Sequence, residues 1–189
     1  QRGYKLLFEN LSFELNSGEV LKISGPNGSG KTSLMKILAG LNSFETGSIE
    51  YDNIKINSEK YNLDFLYLGH LAALSPELSC LENLKYTAHL GNNNLNPDFS
   101  DALTKVGLEK FENELVGKLS AGQKKRIALS LLFITQSKVW LLDEPFSALD
   151  SQAIKIIESR IEEHCNSGGL CILTTHQDCN IENIKEISL

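Results

Sequence analysis

The octapeptide Gly25-Pro26-Asn27-Gly28-Ser29-Gly30-Lys31-Thr32 constrains this 189-residue chain more than any other stretch. It fills every position of the pattern G-x-x-x-x-G-K-[ST]. The apolar run VLKIS precedes it, and SLMKILAG, with helical spacing, follows it. A strand, a glycine-rich turn and a helix in that order let backbone N–H groups curve around phosphate oxygens, and the helix start adds about half a positive charge. Lys31 is placed to reach the β- and γ-phosphates and the Thr32 hydroxyl to bind Mg²⁺. Ser33, next in the first helical turn, joins the candidate binding set. The chain is expected to hold a nucleotide.

The elements around this loop read as an α/β protein. LSFEL alternates, with Leu11, Phe13 and Leu15 on one face, and is expected to pair with EVLKIS across a turn at Asn16-Ser17-Gly18. Gly40 is placed to end the helix after the loop. GSIEYDNIKI reads as a hairpin turning at Asp52-Asn53. From about Leu71 to Leu119 the pattern is helical, broken by the polar run GNNNLNP. KVWLLDEP then reads as a buried strand, Ser151 to His164 as a helix with Ile154, Ile157 and Ile161 on one face, and LCILTT as a further strand. Apolar strands alternating with helices imply a mainly parallel sheet covered on both faces. The expected organisation is one domain: residues 1–70 and 120–189 form the α/β core with an antiparallel β region, and about 71–119 a helical subdomain.

Composition narrows the function classes. The net charge of −6 argues against general nucleic-acid binding. The longest apolar run, IALSLLFI, is too short to span a bilayer, and no signal-peptide pattern is present. Cys80, Cys165, Cys171 and Cys179 have neither C-x-x-C nor C-x-x-C-H spacing, and are expected to be reduced thiols. Because the chain starts at Gln1, further residues are expected before it.

Two more clusters carry chemistry. Asp143 and Glu144 end the apolar run VWLL, where open α/β sheets bind their ligands. Asp143 is the natural Mg²⁺ partner, and Glu144 is placed to orient or deprotonate an attacking water. The second is the helix start LSAGQKKR. Ser120 and Gln123 form an S-x-x-Q capping box, which accounts for both residues without any ligand. It does not account for Gly122, or for Lys124, Lys125 and Arg126, since cations at a helix start oppose its dipole. A glycine-bearing first turn with cations beside it suits an incoming phosphate.

In this order and spacing, the phosphate loop, LSAGQ, LLDEP, SALD and TTH resemble the ABC-type ATPases, the nucleotide-binding subunits of membrane transporters. The resemblance covers essentially the whole chain. It implies a RecA-like P-loop NTPase core with an antiparallel β subdomain and an ABC-type helical subdomain. It also implies Mg-ATP as ligand, and a head-to-tail dimer in which the signature helix of one copy closes over the ATP of the other. Ser120, Gly122 and Gln123 would then serve the partner copy's nucleotide. His176 matches the switch histidine that contacts the γ-phosphate and the catalytic acid. Asp150 lies in the loop that crosses the dimer interface and also suits an N-cap. His70 stands where most cassettes carry a glutamine that senses Mg²⁺ and water, and an imidazole can also ligate metal. The adenine-stacking position falls near Arg2 or Tyr4, without assignment to either. LYLGH, LSAGQKKRIAL, WLLDEPFSALD and GGLCILTTHQ resemble one branch of that family, the cytochrome c maturation ATPases. That branch implies integral membrane partners, haem export or release of a haem-loaded chaperone, and a peripheral place on the cytoplasmic face of the inner membrane. No direct haem site is visible in the residues.

Overall fold

The computed structural model describes residues 7–56, 64–70, 73–90 and 97–189. The candidates for adenine stacking, Arg2 and Tyr4, and most of the polar run GNNNLNP lie outside them. Five parallel strands form the central sheet in the order β4-β5-β6-β1-β7. They are β1 (Val20–Ser24), β4 (Phe65–Leu68), β5 (Val139–Asp143), β6 (Leu170–Thr174) and β7 (Lys185–Ser188). The helices are α1 (Lys31–Leu38), α2 (Cys80–Leu90), α3 (Phe99–Lys105), α4 (Ala121–Ser130) and α5 (Ser151–Asn166). A separate hairpin pairs β2 (Glu50–Tyr51) with β3 (Ile54–Lys55).

Strand periodicity distributes the core over the sheet's two faces. On β5, Trp140 and Leu142 pack with Ile157, Ile161 and Cys165 of α5. Val139 and Leu141, one residue out of phase, pack with Leu34, Met35 and Leu38 of α1. All five residues of β5 are buried, which explains an uninterrupted apolar run rather than an alternating one. Each of its apolar side chains contributes about 1.5–3 kcal/mol on burial. A third cluster is helical and joins Leu84 of α2, Leu103 of α3 and Ile127 of α4. It reaches past the expected boundary at Leu119, because α4 carries apolar side chains toward α2 and α3 as well as toward the sheet.

The expected hairpin turn is present. Asp52 and Asn53 both have positive φ, 50° and 60°, as a two-residue turn between twisted strands requires. Gly40 (φ 69°) ends α1, with its N–H bonded to Ile37 O and that of Leu41 to Lys36 O. One expectation fails. Leu11–Leu15 forms no strand, and β1 does not pair with it. Both edges of β1 are taken, by β6 on one side and β7 on the other. The apolar alternation of the segment is nonetheless used, for Leu11, Phe13 and Leu15 pack half-buried on the α1 side of the sheet. Among the described residues the antiparallel sheet is the β2–β3 hairpin, with one further isolated antiparallel bridge between Ser79 and Leu115.

Candidate active site

Parallel strands place their C-terminal ends on one edge of the sheet. In register, Asp143 of β5 faces Thr174 of β6, which faces Ile23 of β1. The phosphate loop leaves β1, Glu144 leaves β5 and His176 follows β6, so a single sheet end receives all three. His70 follows β4, whose Leu68 is level with Leu142, and its side chain is exposed.

The loop is built around close approaches. Gly25 has φ 139°, and a Cβ there would stand 2.7 Å from the Leu189 carbonyl oxygen, so no other residue fits. The Lys31 ammonium donates to the carbonyls of Gly25 at 2.7 Å and Pro26 at 3.1 Å, which holds it across the loop. Helix α1 starts from Gly30 with no side-chain cap and no acidic residue in its first turn. Its first N–H groups are thus left for an anion. Thr32 is exposed and Ser33 half-buried.

Asp143 is 1% exposed. Its Oδ1 accepts from the Thr174 hydroxyl at 2.7 Å, and its Oδ2 has no partner. Glu144 holds φ 52°, an unfavourable region for a non-glycine residue. Its N–H donates to the Thr174 hydroxyl at 2.9 Å and the Thr174 carbonyl at 3.1 Å. Glu144 Oε1 makes no hydrogen bond, and the nearby His176 Nε2, at 3.5 Å, is too far for a good one. Among the described residues, the buried side-chain polar atoms without a hydrogen bond are Ser29 Oγ, Asp143 Oδ2 and Glu144 Oε1. Leaving such an atom unpaired costs about 1–3 kcal/mol. All three lie in the phosphate loop or at the end of β5, where a ligand would satisfy them.

The signature helix is elsewhere. Ser120 and Gln123 form the capping box with both bonds present, at 2.9 and 3.2 Å. Gly122 has a reason within the chain, since a Cβ there would stand 2.7 Å from the Ala148 carbonyl oxygen. The expected cationic crown does not form. Lys125 turns inward, 6% exposed, with its ammonium 3.5 Å from the Asp143 carbonyl. Burial pushes its pKa down, while the charges of Asp143 and Glu144 act in the opposite sense. Arg126 is bound to the Asp150 carboxylate and to the Val106 carbonyl. Asp150 fills the N-cap role expected of it, with its Oδ1 accepting from the Ala153 N–H at the start of α5. Ser120, Gly122, Gln123, Arg126, Ala148 and Asp150 line an open pocket of about 610 Å³. The phosphate loop, Asp143, Glu144 and His176 do not line it.

Sequence reasoning passed over three groups. Thr174 reads as a strand-filling β-branched residue in LCILTT, and its hydroxyl contacts depend on β5 lying beside it. Lys125 reads as one of three helix-start cations suited to a phosphate, and its turn toward Asp143 depends on α4 lying against β5. The KEIS segment, mostly polar, forms the edge strand β7.

The family model of the ABC transporter matches residues 8–147. Three curated relatives, each a cytochrome c biogenesis ATP-binding export protein CcmA, align over nearly all of the chain. The Shewanella oneidensis protein is 46% identical, covering 100% of this chain and 89% of its own. The Histophilus somni protein is 42% identical over 100% and 88%. The Vibrio cholerae protein is 43% identical over 97% and 90%. Among solved structures, a Pyrococcus furiosus chain put forward as an ABC transporter ATP-binding protein superposes with TM-score 0.85 at 24% identity, covering 98% of this chain and 92% of its own. A dimeric ATP-binding cassette in a post-hydrolysis state with ADP and Pi superposes with TM-score 0.80 at 24% identity, over 94% and 84%. These last two likenesses concern the fold.

Proposed function

The chain belongs to the ABC transporter family of ATP-binding proteins, and from that premise we propose that it is the ATP-hydrolysing subunit of a membrane complex for cytochrome c biogenesis. The observation that carries the catalytic part is the trio of unpartnered buried oxygens on Ser29, Asp143 and Glu144 at one sheet end. Relatives 41–46% identical over nearly the whole chain support the biological part.

The phosphate loop from Gly25 to Thr32 holds the triphosphate on its N–H groups, with Lys31 moving from the loop carbonyls to the phosphate oxygens. A free Asp143 Oδ2 and an exposed Thr32 hydroxyl are hard oxygen donors suited to Mg²⁺. Held by Thr32 and Asp143, Mg²⁺ would offset the charge that develops on the phosphate oxygens. Glu144 Oε1 takes the proton of the attacking water, and His176, whose Nε2 lies 3.5 Å from that oxygen, contacts the γ-phosphate beside it. His70, at the same sheet end, occupies the sensing position and is a further candidate ligand. The pocket at Ser120, Gly122 and Gln123 excludes the phosphate loop of its own chain. A head-to-tail second copy supplies the nucleotide it closes over. Residues 71–119 act as a helical subdomain that, with the His70 region, receives a cytoplasmic segment of the membrane partner, at the cytoplasmic face of the inner membrane. Among the described residues no helix is long and apolar enough to cross a membrane.

The test is recovery of the tagged full-length protein from its own membranes in mild detergent, with the co-purified proteins identified by mass spectrometry. Small integral membrane proteins of the cytochrome c maturation type are expected. Recovery of a different permease would leave the ATPase standing and assign it to another substrate.

A further inference from the structure

Thr174 ends β6 between β5 and β1 and is fully buried. A hydroxyl has one proton to donate and two lone pairs. The proton goes to Asp143 Oδ1 at 2.7 Å. A lone pair receives the N–H of Glu144 at 2.9 Å. One side chain thus touches both acidic residues of the site, on the atoms that set their orientation. A carboxylate turns about a soft two-fold torsion, and a single donor on Oδ1 selects which oxygen faces out. Oδ2 is the one left without a partner. The second bond bears on Glu144, whose φ of 52° persists only if its surroundings hold it.

We infer that Thr174 is a positioning residue for the ATPase: its hydroxyl presents Asp143 Oδ2 to Mg²⁺ and holds the Glu144 backbone so that Oε1 faces the attacking water. This rests on the Mg-ATP reading above. A merely structural threonine makes a different prediction. Valine has the same shape, suits a buried strand and needs no partner. On that view Thr174→Val would be harmless.

The test compares wild type, Thr174→Val and Thr174→Ser as full-length protein. The first readout is Mn²⁺ binding in the presence of a non-hydrolysable ATP analogue, followed by the electron paramagnetic resonance signal of free Mn²⁺. Steady-state hydrolysis at varied Mg²⁺ is the second. Groups that orient metal ligands are typically worth about 10–100-fold in metal affinity or activity. Thr174→Val is expected to weaken Mn²⁺ binding about 10-fold, raise the half-saturating Mg²⁺ similarly and lower kcat, with analogue affinity in EDTA unchanged. Thr174→Ser keeps the hydroxyl and restores all three. Should Thr174→Val not fold, as judged by circular dichroism, Thr174→Ala is read in the same assays and is expected to show the same losses. A valine or alanine variant with wild-type Mn²⁺ affinity and kcat overturns the role of Thr174 alone. A wild-type protein that neither binds Mn²⁺ with the analogue nor hydrolyses ATP overturns the functional reading as well.

Discussion

The Ala148 carbonyl oxygen lies 2.7 Å from where a Cβ on Gly122 would stand. Ala148 itself has φ 61°, so the SALD loop reaches the signature helix through a strained residue. Alanine at 122 would gain about 1 kcal/mol of helix propensity. It would also drive a methyl into backbone, which cannot swing aside, and overpacking of this kind costs about 1–3 kcal/mol. Gly122→Ala is therefore expected to be no more stable than wild type in thermal unfolding, and to hydrolyse ATP poorly because the loop is displaced. A rise in Tm with full activity would show that the loop gives way freely.

Glu144→Gln tests the general base. The amide matches the carboxylate in shape and keeps the N–H contacts to Thr174. It cannot accept a proton. Nucleotide affinity is expected to stay within about twofold, hydrolysis to fall by about 10²–10⁴, and ATP to trap a dimer visible by size-exclusion chromatography. Hydrolysis at the wild-type rate would remove Glu144 from the role.

What could be read in the sequence was what depends on near neighbours. The phosphate loop, the Asp52-Asn53 turn and the Ser120–Gln123 capping box each close within a few residues, and each formed as expected. Distant partners decided the rest. Leu11–Leu15 has a strand's alternation, yet β1 spends both edges on β6 and β7, more than a hundred residues away in the chain. The direction of Lys125 was equally hidden. Helical spacing puts it two residues from the buried Ile127 and three from Gly122, and only the packing of α4 against β5 turns it inward. Thr174 owes its importance to its position opposite Asp143, which no local pattern records.

Lys125 carries the third prediction. Its ammonium is buried beside a single carbonyl at 3.5 Å, a weak return for the lost hydration. Replacing buried charge by an apolar group of similar length is often neutral or stabilising. Lys125→Met is expected to fold with unchanged or higher stability, by up to about 1 kcal/mol. It is also expected to lose activity, because the charges of Asp143 and Glu144 lose the cation that interacts with them. Chemical denaturation and hydrolysis assays on the same preparation separate the two effects. A large loss of stability would mean that the ammonium is a structural tie.

His164 predicts how stability responds to acid. Its ring stacks on Trp140, centroids 3.7 Å apart and planes 3° from parallel, with Nε2 at 3.1 Å from the Lys138 carbonyl. That contact makes Nε2 the protonated nitrogen. Arg160 lies over the other ring of the stack, 5.1 Å from the Trp140 centroid. Burial, with the Arg160 charge as a smaller contribution, pushes the imidazole pKa below its usual 6.5. A base with a lowered folded-state pKa takes up its proton on unfolding, so acid favours the unfolded chain. Stability should fall as pH drops below about 6.5, by at most about 1.4 kcal/mol per pH unit from this group. His164→Gln removes the titration and loses the stacking. The variant should start less stable at pH 7 and lose less between pH 7 and 5.5. Urea unfolding at a series of pH values reads both slopes, and parallel slopes would mean that His164 does not contribute to the acid response.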